Sequence, residues 1–129
     1  MNLFLLASAG GAIGAGARYL VSVGVGHWLG PAAVAFPWAT LLVNVVGCFL
    51  MGVLIEGLAL RLSGSPEVRV FLATGVLGGF TTFSAFALDV SVLMGRKQEL
   101  AAGLYVAASV ALSILALYAG LWLARQVLA

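Results

Sequence analysis

Gly75-Val76-Leu77-Gly78-Gly79-Phe80-Thr81-Thr82-Phe83-Ser84-Ala85-Phe86 lies within an apolar run from about Glu67 to Met94. As a helix such a run rises about 1.5 Å per residue and covers the roughly 30 Å of a bilayer core. Near its midpoint, at Phe80, two adjacent glycines and two threonines interrupt the pattern. Glycine loses the most backbone entropy in a helix, and threonine competes for backbone hydrogen bonds. Non-helical backbone at membrane depth is tolerated where it is buried in protein or lines a cavity. The stretch therefore predicts a membrane span broken near its middle. A break frees backbone carbonyls, and the C-terminal end of a half-helix carries partial negative charge. That combination suits a small cation. A glycine-mediated helix crossing with no ion would use the same residues.

Working outward, three more runs of similar length appear, at about 3–28, 38–62 and 100–125, with the broken one at 67–94. They are separated by Gly30-Pro31, by Ser63-Gly64-Ser65-Pro66 and by Gly95-Arg96-Lys97-Gln98-Glu99. Trp28, Trp38 and Trp122 fall at expected span ends, where aromatic belts form. The first run lacks the basic segment of a secretory signal, since its first basic residue is Arg18, and it reads as a retained span. Composition agrees: 64% of the residues are hydrophobic and 8% charged, against about 25% charged in a soluble domain. Too few charges remain to solvate a globular surface or to keep a chain disordered. The expectation is an all-α integral membrane protein, residues 1–129 forming one four-span domain. Cys48 and His27 are single, which excludes an intrachain disulfide and argues against zinc sites and His-dependent triads. A net charge of +2 with no basic patch gives no reason to expect nucleic acid. No enzymatic activity is expected.

The charges bear on orientation. With four spans, Arg61, Arg69 and Arg125 fall on one side, and Arg18, Arg96 and Lys97 on or toward the other. The positive-inside rule needs an imbalance, and this three-against-three count predicts insertion both ways up. Four helices leave hardly any interior for a water path, so a transporting form is expected to be oligomeric. Gly10/Gly14, Gly26/Gly30 and Gly75/Gly79 have the spacing of close helix contacts, within one chain or between chains.

Polar residues inside the spans are few. Asn44 must find a partner in hydrocarbon, either another helix or an anion. Tyr105, Ser109 and Ser113 recur every four residues and share one helix face. A hydroxyl stripe without charge suits a strongly hydrogen-bonding anion, unless the serines bond their own helix. Phe83 and Phe86 share a face. They either pack, or present positive ring edges to an anion. Arg18 either snorkels or draws anions toward a vestibule. Asp89 is the one acid well inside a span, Glu56 is expected at the interface, and Cys48 is expected to be a small buried side chain.

Three segments together resemble the Fluc (CrcB) family of fluoride channels: 10–19 (GGAIGAGARY), 40–49 (TLLVNVVGCF) and 78–86 (GGFTTFSAF). The resemblance covers nearly the whole chain. It implies an antiparallel, dual-topology homodimer in a bacterial inner (plasma) membrane, passing fluoride out of the cell passively. It also implies that Asn44, Tyr105, Ser109 and Ser113 line the fluoride path, and that Phe83 and Phe86 present ring edges to it. Arg18 would stand near the vestibules. Carbonyls of Gly78 and Thr81 from both subunits would hold a structural Na⁺ at the dimer interface. Ala39, Ala85, Ala87 and Asp89 depart from the family's usual glycine, threonine, serine and glutamate. The rival reading is a small multidrug resistance-type proton-coupled exporter, also of four spans. Such proteins couple through a glutamate in the first span, and this first span has no acid.

Overall fold

The computed structural model describes residues 2–61 and 64–129. The expected end of the second span at Leu62, and Ser63 after it, lie outside the described residues. All regular structure described is helical. Helix α1 covers Leu3–Leu29, the short α2 Pro31–Ala35 and α3 Trp38–Leu60. The third span opens with α4, Pro66–Arg69, continues as a π-helical segment over Val70–Leu77 and closes its first half with α5, Gly78–Phe80. Helix α6, Phe83–Gly95, is its second half, and α7 covers Glu99–Leu128. Four stretches are long and apolar enough to cross a membrane: 3–29, 38–60, 66–95 and 99–128.

The ends have local causes. The Asn2 side chain accepts from Phe4 N–H at 2.7 Å and caps α1. Gly30, at φ 57°, ends that helix in a conformation costly for other residues, and Pro31 opens α2 where its missing N–H is harmless. Ser65 Oγ accepts from Val68 N–H at 3.2 Å to cap α4. The break falls at Thr81 and Thr82, both in extended backbone. It is thus at mid-span as expected, immediately after the glycines rather than at them.

Close approach organises the packing. Helix α1 lies along the π-helical segment and α5, and α3 lies along α7. Gly10 and Gly14 face Gly75, Val76 and Phe80, and Gly79 faces Gly11. A Cβ on Gly75 would stand 2.8 Å from Gly10 Cα, and one on Gly79 would stand 2.6 Å from Gly11 O. Two of the three expected glycine pairs therefore meet each other within one chain. Gly26 and Gly30 face open space. A second pair unmarked in the sequence, Gly52 and Gly120, lets α3 and α7 touch backbone to backbone at Leu117 and Phe49. In each span only 11–17% of the most apolar window is buried within the chain. The outward surface is that of a protein solvated by lipid or by another subunit.

Candidate functional site

The chemistry gathers around the break. In a continuous helix Thr82 N–H would bond the Gly78 carbonyl. Here it donates to Asn44 Oδ1 at 2.8 Å, and Asn44 Nδ2 donates to the Thr82 carbonyl at 3.0 Å. One side-chain amide on α3 thus replaces the ladder that the third span gives up. Ala85 N–H, which would reach the Thr81 carbonyl, bonds Thr82 Oγ1 at 3.1 Å instead. The Gly79 carbonyl accepts from Arg18 Nε at 3.1 Å. Gly78 and Thr81 are left with carbonyls whose usual donors are engaged elsewhere. Thr81 itself turns its Oγ1 back to Leu77 O at 3.0 Å.

Asn44 is therefore an interhelical fastener, one of its two expected roles. Its Nδ2 carries two hydrogens, and one remains for a ligand. Arg18 does not simply snorkel, because its guanidinium is fixed to the break.

Three cavities follow one another past these groups. The outer one, about 430 Å³, is lined by Asp89, Arg96, Thr40 and Ser22 among others. A throat of about 70 Å³ shares Ser22, Ala39 and Thr40 with it and adds Arg18 and Thr82. The inner cavity, about 320 Å³, shares Thr82 with the throat and is walled by Asn44, Cys48, Phe83, Phe86, Ser109 and Ser113. Five residues singled out in the sequence from α3, α6 and α7 thus line one space. Ser109 lines this cavity as a residue, but it is 6% exposed and its Oγ is itself buried.

Tyr105 is placed differently. It is fully buried, and its hydroxyl donates to Asp89 Oδ2 at 2.9 Å. Its ring stands 5.2 Å from that of Phe86 and edge-on to that of Phe36 at 5.4 Å. It lies behind the wall of the inner cavity, with its donor engaged. The two phenylalanines also differ. Their rings are 5.4 Å apart, but Phe83 is 79% exposed and Phe86 8%. Phe83 therefore faces outward from this chain at the level of the break, where Gly78 is exposed too.

Sequence reasoning passed over Thr40, Thr82 and Cys48 as lining residues. Cys48 is half-buried beside the inner cavity rather than sequestered. Its spacing of four from Asn44 already put the two on one helix face. Glu56, expected at the interface, pairs with Arg125 at 3.1 Å near the shared end of α3 and α7. Among the described residues no three His, Cys, Asp or Glu side chains cluster to hold a metal ion.

A family model described as "CrcB-like protein, Camphor Resistance (CrcB)" matches residues 5–121. Similar curated proteins span the whole chain. One from Chelativorans sp. (strain BNC1), named "Fluoride-specific ion channel FluC", is 59% identical over 128 residues, covering 99% of this chain and 100% of the relative. Proteins of the same name from Rhodospirillum centenum (strain ATCC 51521 / SW) and Rhizobium meliloti (strain 1021) are 55% and 53% identical. They cover 100% of both chains in the first case, and 97% of this chain and 98% of the relative in the second.

Proposed function

Since the chain belongs to the CrcB-like family, we propose that it is a fluoride-specific ion channel and that fluoride crosses by the cavities beside the helix break. The observation that carries the path is the inner cavity, whose wall brings together Asn44, Ser109 and Ser113 with Phe83 and Phe86. Fluoride is small and strongly hydrated, so a pore must replace its water with donors. Among the described residues no cation lines the inner cavity, so the donors there are neutral and hold the ion weakly enough to let it leave. The ring edges of Phe83 and Phe86 offer further positive charge that needs no desolvation. Tyr105 shapes the wall by backing Phe86 and anchoring Asp89. Arg18 stands at the throat, where it attracts anions from the vestibule.

The path is passive. Fluoride enters cells as the neutral weak acid, dissociates at cytoplasmic pH and is trapped until a channel releases the anion. An inner (plasma) membrane location follows from that role. The proton-coupled exporter reading gains nothing from the geometry, since α1 contributes no carboxylate.

The working form is an antiparallel homodimer. Irregular backbone does not face lipid at membrane depth, yet Gly78 and Phe83 are exposed at the break in the single chain. A second copy in the opposite orientation would cover both, bringing two mid-span breaks together. The diverted donors of Gly78 and Thr81 leave carbonyl oxygens suited to a hard cation. Na⁺ fits that donor set and would be held there by these two residues from each subunit. It would neutralise the facing carbonyl dipoles and fix the dimer, while the transported species remains the anion.

The test is efflux from liposomes holding the purified protein, with fluoride compared against chloride. Fast fluoride release with chloride retained is expected. Equal release of both ions, or of neither from a well-folded dimer, would overturn the reading.

A further inference from the structure

We propose that Arg96 governs anion entry to the outer cavity, as a fixed counter-charge that offsets the carboxylate of Asp89 on the same wall. This role rests on the channel reading above.

Asp89 and Arg96 are the two charged side chains among the described residues that line the 430 Å³ outer cavity. They lie two helical turns apart and share one face of α6 and its end. The third span therefore sets the order in which an anion meets them. Arg96 caps the end of α6, and Asp89 lies about 10 Å further in at about 1.5 Å per residue. Thr82 is deeper still, at the throat beside Arg18.

Arg96 is held at the mouth. Its Nη1 donates to the Val34 carbonyl at 2.8 Å, and Val34 lines the same cavity. In a longer helix that carbonyl would take the N–H of Trp38, which here bonds the Phe36 carbonyl instead. The guanidinium thus satisfies a carbonyl left over at the end of α2. Asp89 has its own partner, the Tyr105 hydroxyl at 2.9 Å. Each charge is kept in place by a neutral group, so both act on the space between them.

With both side chains present, the described wall is neutral in sum. Without Arg96 it carries a net negative charge across the approach to Arg18. One unit charge acting over about 10 Å changes anion occupancy about twofold at the dielectric of water, and about fifteenfold at an effective value of about 20. Arg96 is exposed, which puts the expected effect toward the lower end of that range.

The experiment measures fluoride efflux from liposomes holding purified dimers of the parent and of four variants, with size-exclusion chromatography reporting assembly. Arg96→Gln should lower efflux several-fold. Adding Asp89→Asn to it should restore most of the loss, because the wall is neutral again; a mere loss of the bond to Val34 would not respond to Asp89. Ala33→Glu puts a negative charge on the same wall, leaves the Arg96–Val34 bond alone, and should lower efflux by a similar factor. Lys97→Gln shifts the balance of basic residues equally but lies off all three cavities, and its dimer should conduct like the parent. Efflux through Arg96→Gln equal to the parent's, a loss that Asp89→Asn does not recover, or an equal loss in Lys97→Gln would each overturn the proposal. If Arg96→Gln does not assemble, Ala33→Glu decides, and undiminished efflux through it would overturn the proposal. Parent vesicles that release no fluoride would overturn the channel reading, and the role of Arg96 with it.

Discussion

Asn44 holds two functions in one amide. It completes the backbone hydrogen bonds of Thr82 and lines the inner cavity. Asn44→Asp preserves the acceptor for Thr82 N–H but sets a carboxylate oxygen against the Thr82 carbonyl and puts negative charge in the proposed anion path. Fluoride flux should fall strongly, read by liposome efflux. Asn44→Ala orphans both Thr82 groups, at about 1–3 kcal/mol for each buried group left unsatisfied, and should lower thermal stability as well as flux. Asp89 is milder in prospect. Asparagine there still offers an oxygen to the Tyr105 hydroxyl, whereas alanine leaves that buried hydroxyl without its acceptor. Efflux should therefore rank Asp89→Asn close to the parent and Asp89→Ala well below it. The sequence marked Asn44, the serines and the phenylalanines because polar or aromatic groups at mid-span are conspicuous among apolar neighbours. It did not separate Phe83 from Phe86, since burial depends on which helix lies opposite. Nor did it pair Tyr105 with Asp89, which are brought together only by the packing of α6 on α7.

At the scale of elements, the break was legible because Gly78-Gly79 and Thr81-Thr82 are poor helix residues at a depth where irregularity is costly. The π-helical segment before it was not. Val70–Leu77 has an ordinary apolar sequence, and the segment docks on α1 through Gly75. The Gly10/Gly14 spacing announced close contact without naming the partner, and the Gly52/Gly120 contact had no local pattern to reveal it. These contacts can be tested on one helix. Gly14→Ala drives a Cβ into the Val76 carbonyl and the Phe80 N–H, with backbone on both sides, whereas Gly24 faces open space. The first substitution should destabilise the protein by about 1–3 kcal/mol, the range for overpacking a well-packed interior. Gly24→Ala should be near neutral. Thermal unfolding in detergent distinguishes them, and equal effects would contradict the packing.

For the whole molecule, orientation is the property carried most directly by sequence. Three basic residues on or toward each side predict no preferred orientation, and the antiparallel dimer proposed above would need both orientations from one gene product. A reporter fused after Ala129 should appear on both sides of the membrane in comparable amounts. Two lysines added after Ala129 should bias the population to one orientation and lower fluoride efflux with it. A strictly one-sided reporter in an active preparation would contradict dual insertion.

The central claim is that fluoride passes the helix break beside the two phenylalanine rings. The most direct measurement is fluoride efflux through Phe83→Ile and Phe86→Ile, with size-exclusion chromatography reporting the dimer. Isoleucine keeps the apolar bulk and removes the ring's positive edge. Each variant is expected to remain dimeric and to lose most of its fluoride flux. Two well-folded dimers that conduct fluoride like the parent would make the rings packing residues and place the path elsewhere.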